Sequence, residues 1–327
     1  MPLQQASSEI TILGGGLAGS AAALSALRQG APARICERSR FPRHKVCGEF
    51  LSPEIQIPLE ECGVWDRFLC ARPARIRRMV LNFGAREKAG LLPDPAWGLS
   101  RFALDDLLLN AALEQGAIRV GSIVNPVIDA SGRSSGAPKG QRLFGFKAHY
   151  TGPTDDAVEL YFFRDGYVGI NCVENGMTNV CGIAPEWMLT RVHFEIDEML
   201  ARMDTLRARL APLNRTMRWM HVGPLVFGNR LRDCGGSYIA GDALSFVDPF
   251  TGSGMLCALL TGTLAGRHAA EARPVSEYIA AAKYMLGSAF SVSSFFRSVA
   301  KTGYAGLLAS LVPSRVLFAA TRPRIKE

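Results

Sequence analysis

The stretch FPRHKVCGEFLSPE, residues 41–54, sets Arg43, His44, Lys45, Cys47 and Glu49 around Gly48. Cations beside a thiol and a carboxylate suit a redox site, a metal site or an ordinary solvated loop. A zinc site needs four ligands, and a lone His and Cys without partners at ligand spacing do not supply them. Cys47 and Glu49 are the catalytic candidates of this stretch, with a small cavity-wall residue as the other reading of Cys47. His44 reads as structural or solvated.

A second group of residues suits a phosphate. The β-rich run at residues 10–13 is followed by Gly14-x-Gly16-x-x-Gly19, an alanine-rich stretch to Arg28, then Gly30 and a second strand closed by Glu37. Glycines at this spacing arise by chance, but between a strand and a helix they form a dinucleotide fingerprint. Gly14 permits the tight turn, Gly16 lets main-chain N–H groups approach a pyrophosphate, and Gly19 lets the helix pack against the strand. Leu17 and Ala18 stand at the helix start, whose donors and dipole favour a dianion. Glu37, followed by Arg38, is placed to accept hydrogen bonds from an adenosine ribose. A carboxylate here argues against a 2′-phosphate, which leaves FAD or NAD.

A third group lies in IAGDALSFVDPFTGSGM, residues 239–255. Gly241 and Asp242 follow a strand, where the carboxylate can hold a ribityl hydroxyl. Pro249, Gly252, Ser253, Gly254 and Met255 bring bare backbone to the start of an apolar helix. Such a start, set beside the pyrimidine edge of a flavin, stabilises negative charge on N1 and O2 of the reduced ring. A nicotinamide gains nothing from it, so this group selects FAD.

The elements that must hold these groups begin with a βαβ unit. Residues 72–99 and 144–184 break into short strands with turn residues between them, read as an antiparallel sheet. A helix is predicted from about His193 to Leu210, a second over 253–270, and helical structure over the last quarter. The expected fold is α/β (α+β overall), with a Rossmann-like dinucleotide domain made of residues 1–71, 99–143 and 229–275. Residues 72–98 and 144–228 form an inserted antiparallel-sheet substrate domain, and 276–327 a helical C-terminal segment.

Composition narrows the function classes. With 327 residues, 48% of them apolar, the chain can bury a sizeable core. The net charge is +8, yet Lys and Arg are scattered and accompany no nucleic-acid motif, so the surplus reads as a basic surface or as steering of anionic cofactors. None of the eight cysteines forms a CxxC pair, and reduced thiols in the cytoplasm are expected. The apolar stretch 238–262 is interrupted by Asp242, Asp248 and Pro249, short of the roughly 18 to 20 residues of a bilayer span. The final stretch, YAGLLASLVPSRVLFAATRPRIKE, reads as a helix over the core with a solvated basic tail, or else as a lip touching a membrane surface.

Taken together, the chain resembles the FAD-dependent oxidoreductases of the para-hydroxybenzoate hydroxylase type, and within them the geranylgeranyl reductase-like group. The resemblance rests on Gly14, Gly16, Gly19 and Glu37; on PRHKVCGEFLSP; on SRFALDDLL with Arg101; on IDASGRSS with Asp129, Ala130 and Gly132; and on GDALSFVDPFTGSGM. It implies FAD as cofactor, NADH or NADPH as diffusible reductant, and a substrate sheet over the isoalloxazine ring. Arg43 and Lys45 would balance cofactor phosphates or reduced flavin, and Val46, Cys47, Gly48 and Glu49 would border the ring.

Two departures stand out. Only six residues, 121–126, separate GAIRV from VIDASG, where the family has a strand meander, and this shortening would expose the adenine side of FAD. In DGYVGINCVENG, Tyr167 matches the lipid reductases, while Gly169, Asn171 and Cys172 replace aromatic and proline positions, which speaks against a prenyl-chain substrate. The implied activity is oxidoreduction of a small hydrophobic metabolite, polyketide- or lipid-like. Its alternatives are flavin-dependent hydroxylation of an aromatic or polyketide substrate, and flavin binding without turnover.

Overall fold

The computed structural model describes residues 8–84, 86–133, 141–229, 231, 236–246, 252–287 and 323. Five short strands form the first sheet, in the order β15 (Tyr238–Ile239), β7 (Ile128–Asp129), β1 (Ile10–Leu13), β2 (Ala33–Cys36) and β6 (Ile118–Val120). All four pairings are parallel. Parallel strands need crossovers, and helix α1 (Leu17–Arg28) makes the first one, between β1 and β2. The shortened connection between β6 and β7 is the loop over residues 121–127.

Most of α1 is buried, because a second helix, α8 (Gly254–Ala270), crosses it. The small side chains of both helices make that crossing close. A Cβ added to Gly262 or Gly266 would lie 2.2 Å from the main-chain oxygen of Ala18 or Ala22. Helices α2 (Gln56–Glu61), α3 (Trp65–Cys70) and α4 (Arg101–Glu114) complete this layer. Ser100 caps α4 by accepting the Ala103 N–H at 3.1 Å. A helix α9 over residues 275–287 follows α8, and its Tyr278 hydroxyl donates to the Ile239 carbonyl at 2.6 Å.

The second sheet runs β12 (Asn214–Arg215), β8 (Leu143–Thr151), β11 (Thr178–Pro185), β10 (Gly166–Cys172), β9 (Ala157–Phe163), β4 (Ala74–Phe83), β5 (Arg86–Gly98) and β3 (Phe50–Leu51), with β13 (Met220–Val222) also on β8. It corrects the expectation of an antiparallel sheet: β4 and β9 pair in parallel, Leu81 beside Leu160 and Phe83 beside Phe162. The two strands belong to separate excursions of the chain, joined by a crossover through the first layer, and such a connection permits a parallel pair. A ribbon of β14 (Gly228–Asn229) and β16 (Ser245–Phe246) stands apart.

The helix predicted from His193 to Leu210 is also corrected. The chain forms α5 (Glu186–Thr190), α6 (Ile196–Ala201) and α7 (Asp204–Leu210). His193 and Phe194 take φ of 49° and 63°, outside helical space, and Met203 is extended. The apolar period itself is real: Ile196, Met199, Leu200 and Leu206 pack with Phe146, Ala148, Val168, Ile170 and Val180 in one core beneath the sheet.

Candidate functional site

The glycines after β1 serve different ends. Gly14 has φ of 100°, and a Cβ on it would lie 2.3 Å from the Ala130 oxygen at the end of β7. A Cβ on Gly19 would lie 1.7 Å from the Gly14 oxygen. Both are demanded by packing. Gly16 faces open space in which the nearest atom to an added Cβ is the Lys45 Nζ, at 3.3 Å. Leu17 and Ala18 bury their side chains in the core, so only their main chain is available to a ligand.

Glu37 closes β2 with its carboxylate turned to this turn. Oε2 accepts the Gly15 N–H at 2.9 Å and Oε1 the Ser39 N–H at 2.7 Å. Burial would raise its pKa, but those two amides and the Arg43 guanidinium, 3.9 Å away, outweigh burial and hold the group ionised. Arg38 is exposed. Arg119 braces the same turn by donating to the carbonyls of Glu37 and Ser39 at 3.1 and 2.7 Å.

The turn at Gly241, between β15 and α8, lies beside the start of α1. A Cβ on Gly241 would sit 2.8 Å from the Ala18 Cβ, and the Gly241 N–H donates to Thr261 Oγ1 at 2.9 Å. Burial raises the pKa of Asp242, against the opposing charges of Arg133, Arg101 and Lys45. Three cations from three parts of the sequence therefore act on the Asp242 carboxylate, and one of them, Lys45, also reaches the open backbone at Gly16. Gly254 opens α8 with no described residue within 4 Å of an added Cβ, Gly252 precedes it, and Met255 is buried. Pro249 lies outside the described residues.

Arg101 reaches Asp105, one helical turn on, with a two-pronged contact at 2.5 and 2.8 Å. Lys45 lies 3.8 Å from the same carboxylate. Enclosure of the Lys45 ammonium, then Arg101, brings its pKa down to about 8, with Asp105 opposing. At the end of β7, Asp129 accepts the Ser131 N–H at 3.0 Å, Ala130 is buried, and Gly132 is open.

The opening motif is strapped to the second sheet. Asn179 of β11 donates to the carbonyls of Cys47 and Gly48, at 3.2 and 2.8 Å. The Glu49 side chain is wholly buried and holds φ of 54°. Its Oε1 accepts the Arg101 N–H at 2.6 Å and the Lys147 ammonium, and its Oε2 meets His149 Nε2 at 2.7 Å. Burial pushes the Glu49 pKa up; His149 and Lys147 more than reverse this and keep it low. The sequence places Glu49 at the flavin ring, whereas every carboxylate contact just described is internal to the protein. Gly48 is exposed, the Cys47 side chain packs partly against the core formed around α1 and the parallel sheet, and Val46 packs near Gly145.

Lys147, His149 and Asn179 escaped the sequence reading, although Lys and His two residues apart in the apolar strand LFGFKAHY signal one shared face. Register puts them with Cys181, Leu160, Phe162, Tyr167 and Phe83 on the face opposite the helices. That face has a charged end and an aromatic end, where Phe83 stacks on Phe162 at 4.9 Å. Two clefts, of about 370 and 260 Å³, are lined by residues of the helical side, among them Tyr150 and Trp187.

No family model matches the chain. The menaquinone reductase of Mycolicibacterium smegmatis is 30% identical over 131 residues, 38% of this chain and 32% of that protein. That of Mycobacterium tuberculosis is 29% identical over 116 residues, 34% and 28% of the two. The matched stretch thus spans about a third of these relatives. Among solved structures, a triple mutant of the flavin-dependent brominase Bmp2 superposes with TM-score 0.76 at 16% identity, covering 96% of this chain and 94% of that one. A flavoprotein/dehydrogenase from Cytophaga hutchinsonii gives 0.76 at 18%, with 96% and 92% covered. Halogenase PltM in complex with phloroglucinol and FAD gives 0.71 at 15%, with 90% and 77% covered.

By fold, then, the chain is similar to these flavin-dependent proteins. The geranylgeranyl reductase-like grouping is narrower than these likenesses reach. Among the described residues no helix is long and apolar enough to cross a membrane.

Proposed function

We propose that the protein binds FAD and passes electrons from NADH or NADPH to a small hydrophobic metabolite, polyketide- or lipid-like. The observation that carries this reading is the open backbone at Gly16, reached by Lys45, which together with Arg101 and Arg133 also acts on the buried Asp242. The residues fit the cofactor. Bare backbone at Gly16 and the first turn of α1 would take the pyrophosphate, Glu37 the adenosine ribose, Asp242 the ribityl chain and Gly252–Gly254 the pyrimidine edge. Bound FAD supplies two-electron transfer; the chain orients it, neutralises charge and shields it from water.

Reduction ranks ahead of hydroxylation because both curated relatives are named reductases. The experiment is direct. The purified protein, loaded with FAD, is expected to be yellow and to bleach anaerobically with NADH or NADPH. Oxygen incorporated into product would transfer the assignment to a monooxygenase. A protein that takes up FAD but is bleached by neither dinucleotide would be a binding protein only.

Lys45 adds a pH signature. A bound dianion raises an ammonium pKa, so binding takes up a proton only where free Lys45 has lost one. FAD affinity is therefore expected to be flat below the free value of about 8 and to fall above it. Titration of apoprotein with FAD from pH 6.5 to 9.5, by flavin fluorescence, should show this bend. Lys45→Met should bind more weakly throughout and lack it; a bend surviving in that variant removes Lys45 from the site.

A further inference from the structure

We propose that His44 exchanges the proton that accompanies electron transfer at this site, and that Glu49, Lys147 and His149 are the positioning residues that hold it. The inference rests on the flavoprotein reading above. His44 shares its short loop with Lys45 and Gly48, which face the open backbone at Gly16 and solvent. Its ring is held from two sides, 4.8 Å from Phe102 and edge-on to His149 at 5.2 Å. Nδ1 is buried without a hydrogen-bond partner among the described residues, so the nitrogen left to exchange a proton is Nε2. A solvated histidine has both nitrogens in water, and a core histidine has both paired. His44 does neither.

The surrounding charges set its state. Lys147 and His149 face it from β8, Glu49 from its own loop and Glu174 from the turn before β11. Burial, then Lys147 and His149, hold its pKa below the ordinary value of 6.5, against Glu49 and Glu174. The ring is thus neutral at pH 7 and gains a proton when negative charge arrives nearby. Glu49 cannot do this work itself, since its carboxylate is closed off by Lys147, His149 and the Arg101 N–H. Glu174 is likewise occupied, accepting the N–H and the hydroxyl of Ser100.

The step balances. A dihydronicotinamide would supply the hydride by way of the cofactor, and His44 Nε2 binds one proton from water. When a hydride is delivered to one atom of the substrate's double bond, the Nε2–H bond breaks and its proton joins the π electron pair on the other atom. The sum is dihydronicotinamide, one proton and a double bond giving oxidised nicotinamide and a saturated bond.

The test is the midpoint potential of the FAD-loaded protein between pH 5.5 and 8.5. Each proton taken with two electrons contributes about 30 mV per pH unit. The slope is expected to change by one proton at the pKa of His44, and to lose that break in His44→Asn and His44→Gln while FAD stays bound. His149→Gln should move the break to higher pH by removing a group that depresses it. A break that survives in both His44 variants, or a wild type without one, overturns the inference and leaves the flavoprotein reading standing. A chain that takes up no FAD overturns both.

Discussion

Gly19→Ala is expected to abolish FAD binding and to lower stability by about 3 kcal/mol, while Gly16→Ala, three residues away, loses binding and keeps its stability to within about 1 kcal/mol. At position 19 the new methyl would sit 1.7 Å from the Gly14 oxygen, a backbone atom pinned in turn against Ala130. It cannot yield without moving the turn away from β7. At position 16 the only neighbour among the described residues is the Lys45 ammonium at 3.3 Å, the far end of a long side chain. There the methyl displaces ligand rather than protein, since it occupies the space a pyrophosphate needs next to the main chain. Urea denaturation of both variants, alongside fluorescence titration with FAD, separates the two effects. Equal stability losses, or undiminished FAD binding by Gly16→Ala, would show that the turn is not the nucleotide site.

The second large effect belongs to Glu49. Removing its carboxylate leaves Lys147 wholly buried and His149 nearly so, with no acid to pair them. Breaking a buried ion pair from one side costs about 3 to 5 kcal/mol, and Glu49→Ala should fall in that range. Glu49→Gln/Lys147→Met, which removes both charges and keeps the volume, should be substantially milder. The left-handed φ of 54° strengthens the point, because a non-glycine residue persists there only when its surroundings over-determine it.

Acid stability carries the same signature. The folded pKa of Glu49 lies below its unfolded value of 4.5, so the unfolded chain binds more protons in between. The stabilisation is complete above about 4.5 and is lost as pH falls through the folded value. The wild type should therefore show a steeper acid limb than Glu49→Gln. A loss under about 1 kcal/mol in Glu49→Ala would show that the cluster does not hold the loop.

Sequence and structure divide the description by range. The strand, glycine turn, helix and closing Glu37 at the start of the chain were legible because each depends on near neighbours. A turn that admits no Cβ, a helix start and a strand-end carboxylate are local demands, and residues 10–37 state them directly. Arg101 and Asp105, one helical turn apart, were open to the same kind of reading, although only Arg101 was picked out. The apolar period of residues 196–210 was also legible, but not the breaks at His193–Phe194 and Met203 that divide it into short helices.

The partners of Glu49 were not legible. Lys147 and His149 lie about a hundred residues further on, and their place beside Glu49 depends on the register of β8 with β11 and on the strap from Asn179. The parallel pairing of β4 with β9 was hidden for the same reason, because it follows from where a long crossover returns the chain. By itself the sequence determined the dinucleotide turn, the apolar faces and the small residues that let α1 and α8 touch. Only the tertiary structure decided that the Glu49 carboxylate is buried against Lys147 and His149, and that His44 is clamped beside it. Local sterics act within one turn of chain, whereas a buried charge takes its partner from whichever distant strand the sheet's register brings alongside.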